Sequence, residues 1–102
     1  MAQFPDIYTE QAKIFKAIGQ PARLMMVEAL LESPKTVSEL TAIVQLEMPT
    51  VSRHLTCLKE AQIVKSEKKG NAIIYSLELA CLKNFLHCSR SVVEMRRIKT
   101  LI

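Results

Sequence analysis

The sequence predicts a mainly α-helical domain with one small β-hairpin, in the order α-α-α-α-β-β-α. Three observations carry this. Apolar residues recur at three- and four-residue spacing through most of the chain. Gly and Pro are scarce, two and four among 102 residues, so connections are short. Residues 63–77 alone read as two short strands around Gly70-Asn71.

Taken in order, Asp6 caps a first helix in which Ile7, Ile14, Phe15 and Ile18 share a face, and Gly19 ends it. Pro21 opens the second helix, with Leu24, Val27, Leu30 and Leu31 on one side, until Ser33-Pro34. Thr36 and Glu39 have capping-box spacing and start a third helix. Leu46-Glu47-Met48 turns the chain, and Pro49 opens a fourth helix with Val51, Leu55 and Leu58 as its buried stripe. The strands IVKSEK and AIIYSL follow, and Ser76 caps a last helix running from about Leu77 to the end. Two helices joined by a tight turn, then a basic hairpin, are the layout of a winged helix-turn-helix domain. One domain covers 1–102, with the helix-turn-helix at about 37–61, the wing at about 63–77 and a first and a last helix at about 7–18 and 77–101.

Composition narrows the function. Nearly half the residues are hydrophobic but none is Trp, so the core is aliphatic. The net charge of +4 suits an acidic partner such as nucleic acid. No apolar run follows a basic start, and none is long enough to cross a bilayer, so we expect a cytoplasmic protein with reduced thiols and no membrane partner. No Gly-rich phosphate loop, Ser/His/Asp set or apolar pair of carboxylates is present, which argues against an enzyme.

The stretch PTVSRHLTCLKEAQIV explains itself in this frame. The second helix of a helix-turn-helix presents its N-terminal residues to base edges in the major groove. Thr50, Ser52, Arg53 and His54 fall in those turns, with Met48 at the turn before them. Arg can donate twice to a guanine edge, and Ser, Thr and His reach bases or phosphates. Lys65, Lys68, Lys69 and Asn71 of the hairpin are placed for the adjacent backbone and minor groove. The competing reading is a solvated helix face and an ordinary charged hairpin, in a module that binds protein without reading DNA sequence.

Three segments resemble the ArsR/SmtB family of winged-helix repressors: AIGQPARLMMVEALLE, TVSELTAIVQLEMPTVSRHLTCLKEAQIV and KKGNAIIYSL. They span roughly residues 12–80, and the T-V-S-R-H-L run is their most specific part. Glu47-Met48 depart from the family's usual Ser-Gln, and Gln62 from its usual Gly. The resemblance implies a homodimer built from the first and last helices, through Ile7, Ile14, Leu82, Phe85, Leu86, Val92 and Val93. It also implies binding to an imperfect inverted repeat in double-stranded DNA near the protein's own promoter, released by an inducer of unknown identity.

Two inducer sites common in the family are altered. Thr36 and Ser38 stand at the Cys-x-Cys positions, and hydroxyls do not replace thiolates for a soft ion. Leu79, Cys81, Val92 and Met95 stand at the late-helix metal positions, where only Cys81 can coordinate. Cys57, Cys81 and Cys88 remain as candidate ligands for arsenite or a soft metal, or as thiols open to a redox signal. The alternative, and the expected one, is that they are small buried hydrophobes. His87 is read as a surface histidine, and Met25 and Met26 as helix packing.

Overall fold

Helix ends are set by local side-chain chemistry. The computed structural model describes residues 3–101. Helix α1 (Asp6–Ile18) starts after Pro5, so Asp6 is its first residue and not its cap. It ends at Gly19, whose N–H bonds the Phe15 carbonyl. Helix α2 (Pro21–Glu32) is capped by Gln20, whose side-chain oxygen accepts the Arg23 N–H at 2.9 Å. Helix α3 (Val37–Val44) carries the full capping box: the Glu39 N–H donates to the Thr36 hydroxyl, and the Thr36 N–H to the Glu39 carboxylate. The backbone bond first, then the hydroxyl, hold the Glu39 carboxyl below its ordinary pKa. Helix α4 (Met48–Glu60) follows after Gln45, which turns the chain in the left-handed region at φ 57°.

Strands β2 (Val64–Lys69) and β3 (Ala72–Leu77) pair antiparallel, with Val64 opposite Leu77 and Lys69 opposite Ala72. Of the two loop residues only Gly70 has positive φ, at 62°, as in the hairpin turn that needs Gly first. Helix α5 (Leu82–Leu101) closes the chain. The predicted order holds, with two corrections. A two-residue strand β1 (Lys35–Thr36) pairs with β3, making a sheet of order β1-β3-β2. The last helix begins at Leu82, not Leu77, because Ser76 and Leu77 are held in β3 opposite Lys65 and Val64.

The core gathers Met26, Val27 and Leu30 of α2, Leu40 of α3, Val51, Leu55 and Leu58 of α4, and Ile63 and Val64, around the end of α1. Helix α2 touches α1, α3, α4, β3 and α5. A helix with neighbours on several sides has no single apolar stripe. Hence Met26 is fully buried while Leu24 and Leu31 are only half-buried, and Met25, expected to pack, is exposed.

Helix α5 meets this core only at its start. Leu82 and Leu86 are buried, Leu86 at 3% exposure, so these two serve the chain's own core and not, as expected, an outer interface. Ile7, Phe85, Val92 and Val93 do stay exposed, Phe85 at 54%, and Ile14 is half-buried against the core. Phe85 meets Phe15 edge to face, with ring centroids 6.1 Å apart, which ties α5 to α1.

Candidate nucleic-acid interface

Helix α4 divides its residues by face. Val51, Leu55 and Leu58 are wholly buried, so the positions between them point outward. Met48, Ser52 and Arg53 are exposed, and Thr50 and His54 half-buried. The structure thus brings all five predicted helix residues into the exposed and rim positions of one short segment. Arg53 Nη2 donates to Thr50 Oγ1 at 3.3 Å, a long bond that leaves most of the guanidinium donors for another partner. Glu47 occupies the N-cap and makes no side-chain cap bond. Its carboxylate puts negative charge at that end of the helix, while Arg53 and the wing lysines supply positive charge nearby in sequence.

The wing splits the predicted lysines. Cross-strand partners share a face of a hairpin and neighbours alternate. Lys68 pairs with Ile73 and lies with Ser66 and Tyr75, on the side whose base is Val64 and Leu77. Lys65 and Lys69 lie on the opposite side with Glu67. The three amines do not form one cluster, and Asn71 sits exposed at the tip.

Two supporting side chains were missed by sequence reasoning. Lys59 Nζ donates to Ser66 Oγ at 2.7 Å and ties the end of α4 to the base of the wing. Arg23 Nη1 donates to Cys57 Sγ at 2.7 Å, across α2 and α4, while its buried Nε has no partner. Arg23 stands in the segment that carries the family resemblance, which was the available signal. Only the fold shows that it reaches α4.

Burial first, then the charges of Arg23 and Arg53, push the His54 imidazole below its ordinary pKa of 6.5. His54 is therefore neutral at pH 7, and its contribution to stability has a definite sign. The unfolded chain takes up the proton first, so stability is full above about pH 6.5 and is lost as pH falls below it. Urea unfolding at about pH 7.5 and about pH 5.5 should show a loss that is smaller in His54→Gln. An equal loss in both proteins assigns the effect to other groups.

The thiols do not behave as expected. Cys57 is half-buried, but Cys81 and Cys88 are exposed in the single chain, so they are not core thiols of one protomer. Late-helix periodicity had put them in an apolar stripe with Phe85 and Val92, and that stripe faces outward. Among the described residues, no three His, Cys, Asp or Glu side chains come together to hold a metal ion. His87 is exposed, as expected. No described helix is long and apolar enough to cross a membrane.

Comparison with known proteins adds to this geometry. Residues 20–66, from the cap of α2 into β2, match the family model described as bacterial regulatory protein, arsR family. An uncharacterized HTH-type transcriptional regulator of Mycobacterium tuberculosis, Rv0081, is 34% identical over 88 residues, covering 85% of this chain and 77% of the relative. The chain belongs to the ArsR family.

The crystal structure of Rv0081 overlays this ArsR-family chain with a TM-score of 0.82 at 30% identity, covering 97% of this chain and 100% of that one. The transcriptional repressor SdpR of Bacillus subtilis is 30% identical over 74 residues, 72% of this chain and 82% of SdpR. The homodimeric winged helix-turn-helix DNA-binding domain Mb0332 of Mycobacterium bovis shares the fold, with a TM-score of 0.78 at 19% identity, 94% of this chain and 93% of that one. As an ArsR-family winged helix-turn-helix protein, the chain is a DNA-binding transcriptional regulator and not an enzyme.

Proposed function

We propose that the chain acts as a homodimeric repressor. Two copies read an imperfect inverted repeat in double-stranded DNA, the protein's own promoter among its targets, and let go when an inducer binds. The observation that carries this is α4, wholly buried along one side and presenting Met48, Ser52 and Arg53 on the other. Its nearest structural support, the wing, is fixed to it by Lys59 and Ser66. A two-fold dimer sets two such helices about one DNA turn apart, roughly 34–36 Å, which an inverted repeat matches. The repressor SdpR and the homodimeric Mb0332 domain agree with this reading.

The inducer is a separate question. Cys57, Cys81 and Cys88 supply no three-ligand group within one chain. A soft-ion or arsenite site therefore takes thiols from both copies. At Cys57 the incoming ion also meets the Arg23 guanidinium.

The test is a titration of the reduced protein into labelled DNA from its own upstream region, followed by anisotropy at two salt concentrations. Repeats with arsenite, with zinc or cadmium, and with a mild oxidant test the inducer. Sequence-specific binding that weakens with salt, by about 0.9 in log–log slope per phosphate neutralised, is expected. Binding no tighter than to unrelated DNA overturns the reading in favour of a protein-interaction module.

A further inference from the structure

Between residues 19 and 81, the large apolar side chains left exposed among the described residues are Met25, Leu46, Met48 and Ile73. Of these, Met48 lies on α4, and it is 47% exposed. It belongs neither to the core nor to the partly buried residues packed against it. As the first residue of α4, it stands at the end that a helix-turn-helix presents to base edges. Helical side chains lean toward the N-terminus, so Met48 projects ahead of its own turn. Ser52, one turn later on the same flank, is exposed as well.

The chemistry of this side chain narrows what it can meet. Met has no donor and only a weak sulfur acceptor, so it cannot match the hydrogen-bonding groups of a base edge. Its gain comes from covering apolar surface. In the major groove one base carries such surface: thymine, through its 5-methyl group. Gln, usual at this position in the family, would offer both a donor and an acceptor. Met48 thus changes the kind of contact that the start of α4 can make.

We propose that Met48 selects a thymine in each half-site by packing on that base's 5-methyl group. The inference rests on the DNA-reading function above and names one base contact within it. An unbranched thioether suits the task, because its three rotatable bonds let it settle on a methyl group without a backbone shift. Arg53 and Met48 then divide the work of the helix. The guanidinium can donate twice to a guanine edge, whereas Met48 answers to the methyl alone. The two side chains set different positions of the half-site.

The test removes the methyl and nothing else. Deoxyuridine keeps the pairing and the O4 acceptor of thymidine but lacks the 5-methyl group. The full chain is first titrated, by anisotropy, into duplexes from its own upstream region to find the shortest one bound specifically. Each thymine of that duplex is then replaced singly by deoxyuridine. Every duplex is titrated with wild type, Met48→Ala and Met48→Gln, and a thermal melt verifies that the variants fold. Burying one methyl is worth about fourfold in affinity. Expected is a thymine in each half-site at which deoxyuridine weakens wild type about fourfold or more and leaves both variants unchanged. Deoxyuridine effects of equal size in wild type and both variants overturn the proposal. So does a wild type indifferent to every methyl, a result that needs no variant. Wild type that binds unrelated DNA as tightly as every upstream duplex overturns the DNA-reading function itself.

Discussion

Replacing Arg53 with alanine lowers affinity for the specific site by roughly 1–3 kcal/mol per half-site, about five- to 150-fold, and barely changes stability. The cause is local. Arg53 is exposed, its buried-side neighbours on α4 are Val51 and Leu55, and its intramolecular bond is the 3.3 Å contact to Thr50. Surface substitutions of this kind shift stability by about 0.5 kcal/mol or less. Anisotropy with specific and scrambled DNA, beside a thermal melt, checks both halves. Unchanged discrimination between the two DNAs means that α4 does not read bases through Arg53.

Two positions along the same helix the expectation reverses. Leu55 has no exposed surface and belongs to the buried core, on a helix that packs against α1, α2, α3 and β2. Leu55→Ala should cost about 2–5 kcal/mol, transfer and cavity together. For a domain whose whole stability is about 5–15 kcal/mol, that is a large share. Urea unfolding measures it as a lower midpoint at unchanged slope. The folded fraction of this variant should still discriminate between specific and scrambled DNA. A loss below about 1 kcal/mol would show that the core is less tightly packed around α4 than its burial implies. Together the two variants separate the surface of one helix from its support.

Those two residues also mark the reach of sequence patterns. Val51, Leu55 and Leu58 were legible because helical spacing sorts a helix into faces, and the Thr36–Glu39 box was legible because both partners lie within one turn. Periodicity alone does not say what an apolar face meets. On α5 it found Leu82 and Leu86 as readily as Phe85 and Val92. Only the fold shows that Leu82 and Leu86 enter the chain's own core while Phe85 and Val92 face outward. The same limit misplaced Cys81 and Cys88. The start of α5 was missed because Ser76 has the chemistry of a cap, yet strand pairing with Lys65 claims it first. Strand β1 carries no pattern of its own in two residues; it exists because β3 offers an edge to Lys35 and Thr36. In the candidate interface, residue identity pointed to the lysines of the wing, and the pleat then divided them. The Arg23–Cys57 contact spans 34 positions of sequence and leaves no local trace.

The bond from Lys59 to Ser66 has a consequence at the scale of the whole assembly. It joins the end of α4 to the base of the wing, and the Ile63 N–H bonds the Leu58 carbonyl across the intervening turn. Helix and wing thus form one stiff jaw. A signal arriving through α1 and α5 has little scope to bend a jaw, but in the proposed dimer it can change the gap between two of them. Such a pair works as a caliper. DNA offers successive major-groove faces at a fixed pitch of about 34 Å, so a few ångströms of opening at the hinge is enough to set one jaw out of phase with its half-site while each remains fully folded.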